Sequence, residues 1–240
     1  MSKVTQEFSR FAYAYDRYNI IQAEVAQSLV AQLPKSDHQT IIDIGCGSGE
    51  VYKNVEKSAL SYDHFIAFDS SAQMLEIHPD ALGIEKICGD FNQPQAFDFI
   101  SPSKSNLLLS SSALQWSQDL DMTLKRLSLI SSKAYFAIFT SNTFGTLHRI
   151  AGATSPIYSE VILREKVASY YDAQFELKTY RLKFETVRDM FAYIKKSGVS
   201  GGEKQLSYKQ MKILMENYPL DYLEFEVLFV QGTSLCFEER

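Results

Sequence analysis

The sequence predicts an α/β fold, a mostly parallel sheet with helices on both faces, and three observations carry that prediction. Short β-branched or apolar runs alternate with helical stretches from Thr40 to about Ile150. The first run, TIIDI at Thr40 to Ile44, leads straight into a glycine-rich turn. The chain closes on YLEFEVLFVQGTSLCF, whose aromatic and β-branched content reads as a long terminal strand.

From Thr5 to Leu33 the pattern is helical, in two helices. Phe8, Phe11 and Tyr15 recur at spacings of three and four, and Ile21, Val25, Leu29 and Leu33 repeat every four. Pro34 and the polar KSDHQ end that region. The turn after TIIDI opens a helix through about Ser58. HFIAFDSS is a second strand ending in an acid, with a helix around Met74 to Ile77, and EKICGDF is a third strand. NLLLSSSAL is a fourth, apolar enough to be buried on both faces; DLDMTLKRLSLI is an amphipathic helix and KAYFAIFTS a fifth strand. Strand and helix thus alternate five times, and right-handed crossovers follow.

That rhythm then breaks. FELKTYRLKFE alternates like a half-exposed strand, and VRDMFAYIKKSG and SYKQMKILMENY read as helices flanking SGVSGG. Gly198, Gly201 and Gly202 in that loop suit a hinge, a close approach to a ligand, or a plain interhelical turn. No repeat or linker divides the chain. A single domain is expected over 1–240, with N-terminal helices at 1–34, a core at 40–150 and a helical cap inserted at 185–220.

At 240 residues, 45% hydrophobic and 22% charged, the chain has the composition of a soluble globular protein. A formal net charge of -5 argues against general nucleic-acid binding. The three cysteines, Cys46, Cys88 and Cys236, are far apart, so neither a metal-ligand spacing nor a disulfide framework is expected. The first twenty residues lack a signal peptide's apolar core, and no stretch reaches the length of a membrane span. A reduced, cytoplasmic setting is expected.

IIDIGCGSGE, Ile41 to Glu50, identifies the site. Glycines behind a buried strand let backbone amides approach a ligand at the carboxyl end of a parallel sheet. A P-loop would need a Gly-Lys-Ser/Thr ending, and a dinucleotide turn would need glycine at position 50, which is Glu50. The spacing is instead G-x-G-x-G, at Gly45, Gly47 and Gly49. Asp43, two residues ahead, suits an ammonium group better than a pyrophosphate. Asp69 ends the next strand, where it can accept ribose hydroxyls. Asp90, followed by Phe91, can bond an adenine amine beside a packed ring. Three acids on three strand ends describe an adenosine bearing an amino acid.

These residues resemble the class I S-adenosylmethionine-dependent methyltransferases. IDIGCGSGE is similar to that family's first motif, IAFDSSAQML to its second and ICGDF to its third. The resemblance implies a Rossmann-like, mostly parallel seven-stranded sheet with S-adenosyl-L-methionine as cofactor. It implies cofactor contacts from Asp43, Gly45, Cys46, Gly47, Gly49, Asp69, Ser70, Met74, Asp90, Phe91 and Ser110.

The flanks FSRFAYAYD, SSALQW, FGTLHRI, KKSGVSGG and FEVLFV resemble the malonyl-acyl-carrier-protein O-methyltransferases of biotin synthesis. That resemblance runs from Phe8 to Val230 and implies methylation of the free carboxylate of a malonyl thioester. Three departures stand out. Asn106-Leu107 replaces the family's Asp-Leu, Ser110-Ser111 its Ser-Asn, and SLISSKAYF its Arg-Pro-Gly-Gly turn. A carboxylate acceptor is ionised at neutral pH and needs no general base, and the chain offers neither an Asn-Pro-Pro-Tyr-type loop nor a metal cluster. No catalytic or metal residue is therefore assigned.

On the substrate side, Tyr15 is expected over the methionine end of the cofactor, Gln115 and Trp116 in the acceptor pocket, and His148 and Arg149 at the acceptor carboxylate. Core packing for Trp116, packing or surface exposure for His148, and solvent exposure for Arg149 are the alternatives. Between Lys178 and Lys212 nine bases stand against three acids, a net +6 that leaves -11 for the rest. Such a basic cap suits an acidic acyl-carrier protein, unless its lysines are simply solvated helix faces. Competing readings are a methyltransferase for a small free carboxylic acid, a catalytically silent binding module and a nicotinamide oxidoreductase. Glu50 and the acid before the turn disfavour the last.

Overall fold

The computed structural model describes residues 18–58, 60–196 and 208–238, together with Thr5, Gln6, Ser9, Arg10 and Ala12. The side chains of Lys195, Lys196, Tyr208, Lys209 and Met211 lie outside that description. Seven strands form one sheet: β1 His38–Ile44, β2 Tyr62–Asp69, β3 Ile84–Cys88, β4 Ser103–Ser111, β5 Ser131–Phe139, β6 Tyr171–Lys183 and β7 Tyr222–Ser234. Their order is β3-β2-β1-β4-β5-β7-β6. The first five pair in parallel, while β7 runs antiparallel to both β5 and β6. The order reverses between β1 and β4, and a crevice at such a switch point is where open α/β sheets bind ligands.

Burial follows position in the sheet. Ile41, Ile42, Asp43 and Ile44 of β1 are all fully buried, as a central parallel strand covered on both faces requires. Alternate residues then serve opposite faces. Ile41 packs with Ala26, Val30 and Val55, whereas Ile42 and Ile44 pack with Leu124 and Leu127. A third apolar cluster, around Met190, Tyr193, Leu214 and Phe225, sits toward the β7 side.

The helices are α1 Ile20–Val30, α2 Glu50–Ser58, α3 Ala72–Ile77, α4 Leu120–Ile130, α5 Gly145–Ala151, α6 Glu160–Ala168, α7 Val187–Lys196 and α8 Tyr208–Asn217. Thr5, Gln6, Ser9, Arg10 and Ala12 are helical ahead of them, while Phe8, Phe11 and Tyr15 lie outside the described residues. Side-chain caps set several starts: Ser71 accepts from Met74 N, Asp119 from Met122 N and Ser159 from Ile162 N. Helix α6, with its Ser159 cap, is absent from the sequence reading. Turns rather than a helix join β3 to β4, so the expected alternation fails at one crossover. Among the described residues no helix is long and apolar enough to cross a membrane.

Asn106 and the SLISSKAYF segment answer each other. Helix α4 ends at Ile130 and β5 begins at Ser131, with no turn between them. The buried Asn106 side chain donates to the carbonyls of Ile130 and Ser101, each at 3.0 Å. Ser131 Oγ donates back to Asn106 O at 2.7 Å. An ionised aspartate at 106 has no proton to donate, so the amide suits this abrupt junction.

Candidate functional site

All three glycines of the turn adopt left-handed backbone, with φ of 75° at Gly45, 52° at Gly47 and 86° at Gly49. They do different work. A Cβ on Gly45 would lie 2.2 Å from Ala113 Cβ, so glycine there lets β1 meet the loop after β4. A Cβ on Gly49 would lie 2.7 Å from Pro79 Cδ and 2.8 Å from His78 Cδ2, so that glycine seats α2 against the end of α3. Gly47 has nothing within 4 Å of its would-be Cβ. Its freedom faces the crevice.

The turn is held from behind. Gly45 N and Cys46 N both donate to Phe68 O, at 2.8 and 3.1 Å. Gly47 N donates to Asp69 Oδ2 at 2.9 Å, and Ser71 N donates to Asp69 Oδ1 at 2.8 Å. Burial raises the Asp69 pKa against the opposing pull of these amides. Asp90 is half-buried, and its Oδ1 accepts from Asn92 N and Asn92 Nδ2 at 2.9 and 2.8 Å.

Asp43 differs from both. It is fully buried, and among the described residues neither of its carboxylate oxygens has a hydrogen-bond partner. Burial, followed by the charge of Asp69, holds its pKa well above the usual carboxylate range. A buried carboxylate without donors calls for a proton or a cation.

Asp69 and Asp90 line one crevice with Gly45, Cys46, Gly47, Ser70, Met74, Phe91 and Trp116. The sequence reading missed other wall residues: Thr5, Gln22, Ala26, Ser48, Glu50, Val51, Asn92, Ser111, Ser112 and Ala113. Gln22 had a signal. It sits one position past Ile21 on the buried side of α1, a polar residue where that helix meets the sheet. Among the described residues, Gln22 Oε1, Ser48 Oγ, Ser111 Oγ and Ser112 Oγ are buried without partners at this wall. Ser112 is moreover a non-glycine residue at φ 61°, a strained conformation of the kind that collects at functional sites. Orphaned polar atoms, an open glycine and acids on adjacent strand ends fit a polar nucleoside ligand with a cationic group.

Other expected residues fall elsewhere. Ser110 is fully buried and spends its hydroxyl on Ile44 O at 2.8 Å, so Ser111 and Ser112 take the wall position instead. Asp43 and Gly49 lie behind the crevice rather than in its wall. Gln115 is buried; its Nε2 donates to Ser112 O at 2.6 Å and its Oε1 lacks a partner among the described residues. His148, on α5, is half-buried and off this crevice, with Nδ1 unpartnered among the described residues and a pKa lowered by burial. Arg149 is exposed and donates to Thr146 Oγ1 at 3.0 Å. Tyr15 and the SGVSGG loop lie outside the described residues.

Comparison with known proteins adds independent observations. No family profile matches the chain. A malonyl-acyl-carrier-protein O-methyltransferase of Bacteroides thetaiotaomicron is 26% identical over 243 residues, spanning 97% of this chain and 92% of that protein. A protein of the same description from Brevibacillus brevis is 23% identical, spanning 96% of this chain and 95% of its own length. Among solved structures, the methyltransferase bound to the Trm112 activator in Haloferax volcanii superposes with a TM-score of 0.66 at 15% identity, over 99% of both chains. YcgJ of Bacillus subtilis gives 0.63 at 11% identity, over 88% of this chain and 97% of its own. A Haemonchus contortus phosphoethanolamine N-methyltransferase solved with S-adenosyl-L-methionine gives 0.56 at 13% identity, over 92% of this chain and 56% of that one.

Proposed function

We propose that this chain, a methyltransferase of the class I fold that uses S-adenosyl-L-methionine, methylates the free carboxylate of a malonyl group carried by an acyl-carrier protein, in the service of biotin synthesis. The end-to-end similarity to proteins of that description carries the reading, since it spans 97% and 96% of the chain in two relatives. We read 1–240 as one such domain, with 185–220 as its cap. The unpaired thiols of Cys46, Cys88 and Cys236 suit a reduced cytoplasm.

When bound, the cofactor supplies a methyl group already activated on a sulfonium. The chain's residues hold, orient and exclude water. Asp69, fixed by two backbone amides, is the acceptor for ribose hydroxyls, and Asp90 with Phe91 serves the base. Asp43, which the sequence suggested for an ammonium group, is sealed behind the glycine turn with its pKa held well above the usual carboxylate range, so it presents no charge to the crevice in the free chain. The acceptor needs alignment but no base, because its carboxyl is ionised far below neutral pH. Positioning of this kind is worth ~7–11 kcal/mol in favourable intramolecular cases. Trp116 borders the crevice beyond β4 and is our candidate for the acceptor wall, with Gln115 behind it.

The basic segment divides on the structure. Lys178, Arg181 and Lys183 belong to strand β6, where Lys178 pairs with Glu176, Arg181 lies over the Tyr222 ring and Lys183 approaches Asp221. Of the remaining bases, Arg188, Lys195 and Lys196 belong to α7 and Lys209 and Lys212 to α8, while Lys204 lies outside the described residues; this segment is the proposed dock for the acidic carrier. Because β6 runs parallel to β5, these helices follow the same sheet end as the crevice. Helix α8 also packs on α5, which bears His148.

The deciding experiment is radiolabelled methyl transfer to malonyl-acyl-carrier protein, followed by mild base. Base-labile label on the carrier is the expected result. Transfer to free dicarboxylates with none to the carrier would overturn the carrier assignment in favour of a small-acid enzyme.

A further inference from the structure

Strand β6 forms one margin of the sheet, and among the described residues no strand pairs with its outer side. It keeps an unbroken register with β7 from Tyr171↔Ser234 to Lys183↔Tyr222. Protein edges of this kind are usually short, bulged, interrupted by proline or guarded by charge, and on β6 charge is the device present. This one has 13 residues, YDAQFELKTYRLK, with no proline and no bulge, and the midpoint Leu177 is 40% exposed.

Its charges are divided about that midpoint. Asp172 and Glu176 precede Leu177, whereas Lys178, Arg181 and Lys183 follow it. An antiparallel copy of the same strand, related by a two-fold axis through Leu177, would set each acidic half against a basic half. Glu176 would then face Lys178 of the second copy, twice, and the two Leu177 side chains would meet. Directly opposite cross-strand pairs are the ones that count energetically. The alternatives are selected against. A two-fold axis normal to the sheet keeps side chains on their own faces only when residues of equal parity pair. The neighbouring permitted axes, through Glu176 or Lys178, oppose Glu176 to Glu176 or Lys178 to Lys178. Only the axis through Leu177 pairs unlike charges at the centre.

The central side chains are also held in place beforehand. Lys178 Nζ lies 3.1 Å from Glu176 Oε2 and 4.9 Å from the centre of the Phe229 ring. Gln32 Nε2 of α1 donates to Glu176 Oε2 at 3.4 Å. Side chains already ordered in the monomer lose less entropy on association.

We propose that β6 is a homodimer interface, in which two copies of this chain join edge to edge, antiparallel about Leu177, and continue the sheet from one subunit into the other. Such an interface is isologous, as closed two-fold dimers require. It leaves the crevice between β1 and β4 untouched, so it holds or fails independently of the proposed reaction.

The test is sedimentation equilibrium of the full chain over a concentration series, with circular dichroism to check folding. Wild type should approach twice the 27.3 kDa chain mass. Glu176→Lys and Lys178→Glu should each weaken association by at least about tenfold, since each opposes two like-charge pairs across the axis. The double variant Glu176→Lys/Lys178→Glu should recover the dimer. Glu85→Lys, on the opposite edge strand β3, should leave it unchanged. A monomer at every concentration overturns the proposal, and so does a dimer that survives both single reversals or is broken by Glu85→Lys.

Discussion

The backbone amide of Gly47 donates to the carboxylate of Asp69 at 2.9 Å, tying the middle of the glycine turn to the end of the neighbouring strand. One carboxylate thus both shapes the turn and faces the crevice. Asp69→Ala should release two amides, Gly47 N and Ser71 N, and remove the proposed ribose acceptor at the same time. Calorimetry with S-adenosylhomocysteine should show affinity reduced at least about tenfold, as loss of one charged hydrogen bond of ~1.5–3 kcal/mol implies. Unchanged affinity would remove Asp69 from the site.

The three glycines make a graded prediction. Gly47→Ala meets open space and pays only for its left-handed backbone, about 1–2 kcal/mol. Gly45→Ala adds an overlap of Cβ with Ala113 Cβ at 2.2 Å, which the rigid loop after β4 cannot relieve cheaply. Denaturant unfolding should rank Gly45→Ala clearly below Gly47→Ala in stability. Cofactor binding should show whether the open side of Gly47 is ligand space, since a methyl there would then cost affinity beyond its effect on folding.

Asn106→Asp tests the α4–β5 junction. The substitution sets a carboxylate against two carbonyls, Ile130 O and Ser101 O, in a buried position. A loss of about 3 kcal/mol or more is expected from breaking both bonds and burying an uncompensated charge. Thermal unfolding measures it, and a neutral result would mean that the junction is held by Ser131 alone.

Asp43 gives a pH signature. Burial first, and the charge of Asp69 second, raise its folded pKa well above 3.8, so the folded chain holds that proton more tightly than the unfolded one. Its contribution to stability is complete below the ordinary carboxylate pKa and is lost as pH rises through the raised value. Across that window wild-type stability should fall relative to Asp43→Asn, with a slope of up to about 1.4 kcal/mol per pH unit. His38, His78 and His148 have pKa values lowered by burial and act in the opposite sense, which is why the variant difference is the quantity to measure. A flat difference would contradict the raised pKa.

Trp116→Ala and His148→Ala separate two walls. Trp116 borders the crevice, so its loss should lower kcat/KM for the acceptor by about tenfold or more while S-adenosylhomocysteine still binds. His148 stands on α5, whose approach from β5 is clamped to β7. Thr140 and Asn142 donate to Glu226, and Thr146 donates to Glu224. If His148 meets the acceptor, His148→Ala shifts acceptor kinetics and leaves cofactor affinity alone. Unchanged kinetics for both variants would remove them from the acceptor side.

Much of this site was legible because it is local. Glycines at 45, 47 and 49 follow a β-branched run, the acid at 69 ends the next strand, and the acid at 90 lies two residues past the end of the one after. A parallel sheet brings consecutive strand ends together whatever their loops do. Gln22, Ser111 and Ser112 were not legible in the same way. Their roles depend on how α1 crosses the sheet and on a left-handed residue after β4 that no sequence pattern announces. Ser110 and Ser111 show the limit most sharply. One residue along a strand exchanges the two faces, sending the first hydroxyl to Ile44 O and the second to the crevice wall.

The sequence alone therefore determined the sheet, its strand-to-helix rhythm and the kind of ligand its glycine turn admits, because those rest on periodicity and backbone sterics within a few residues. Only the tertiary structure decided that Asp43 is sealed behind the turn without a donor among the described residues, that Asn106 ties a turnless helix-to-strand junction, and that the strand bearing Lys178 and Arg181 lies at the margin of the sheet. Each of those outcomes depends on which distant segment fills the adjacent space, and burial and hydrogen bonding are properties of that neighbour as much as of the residue itself.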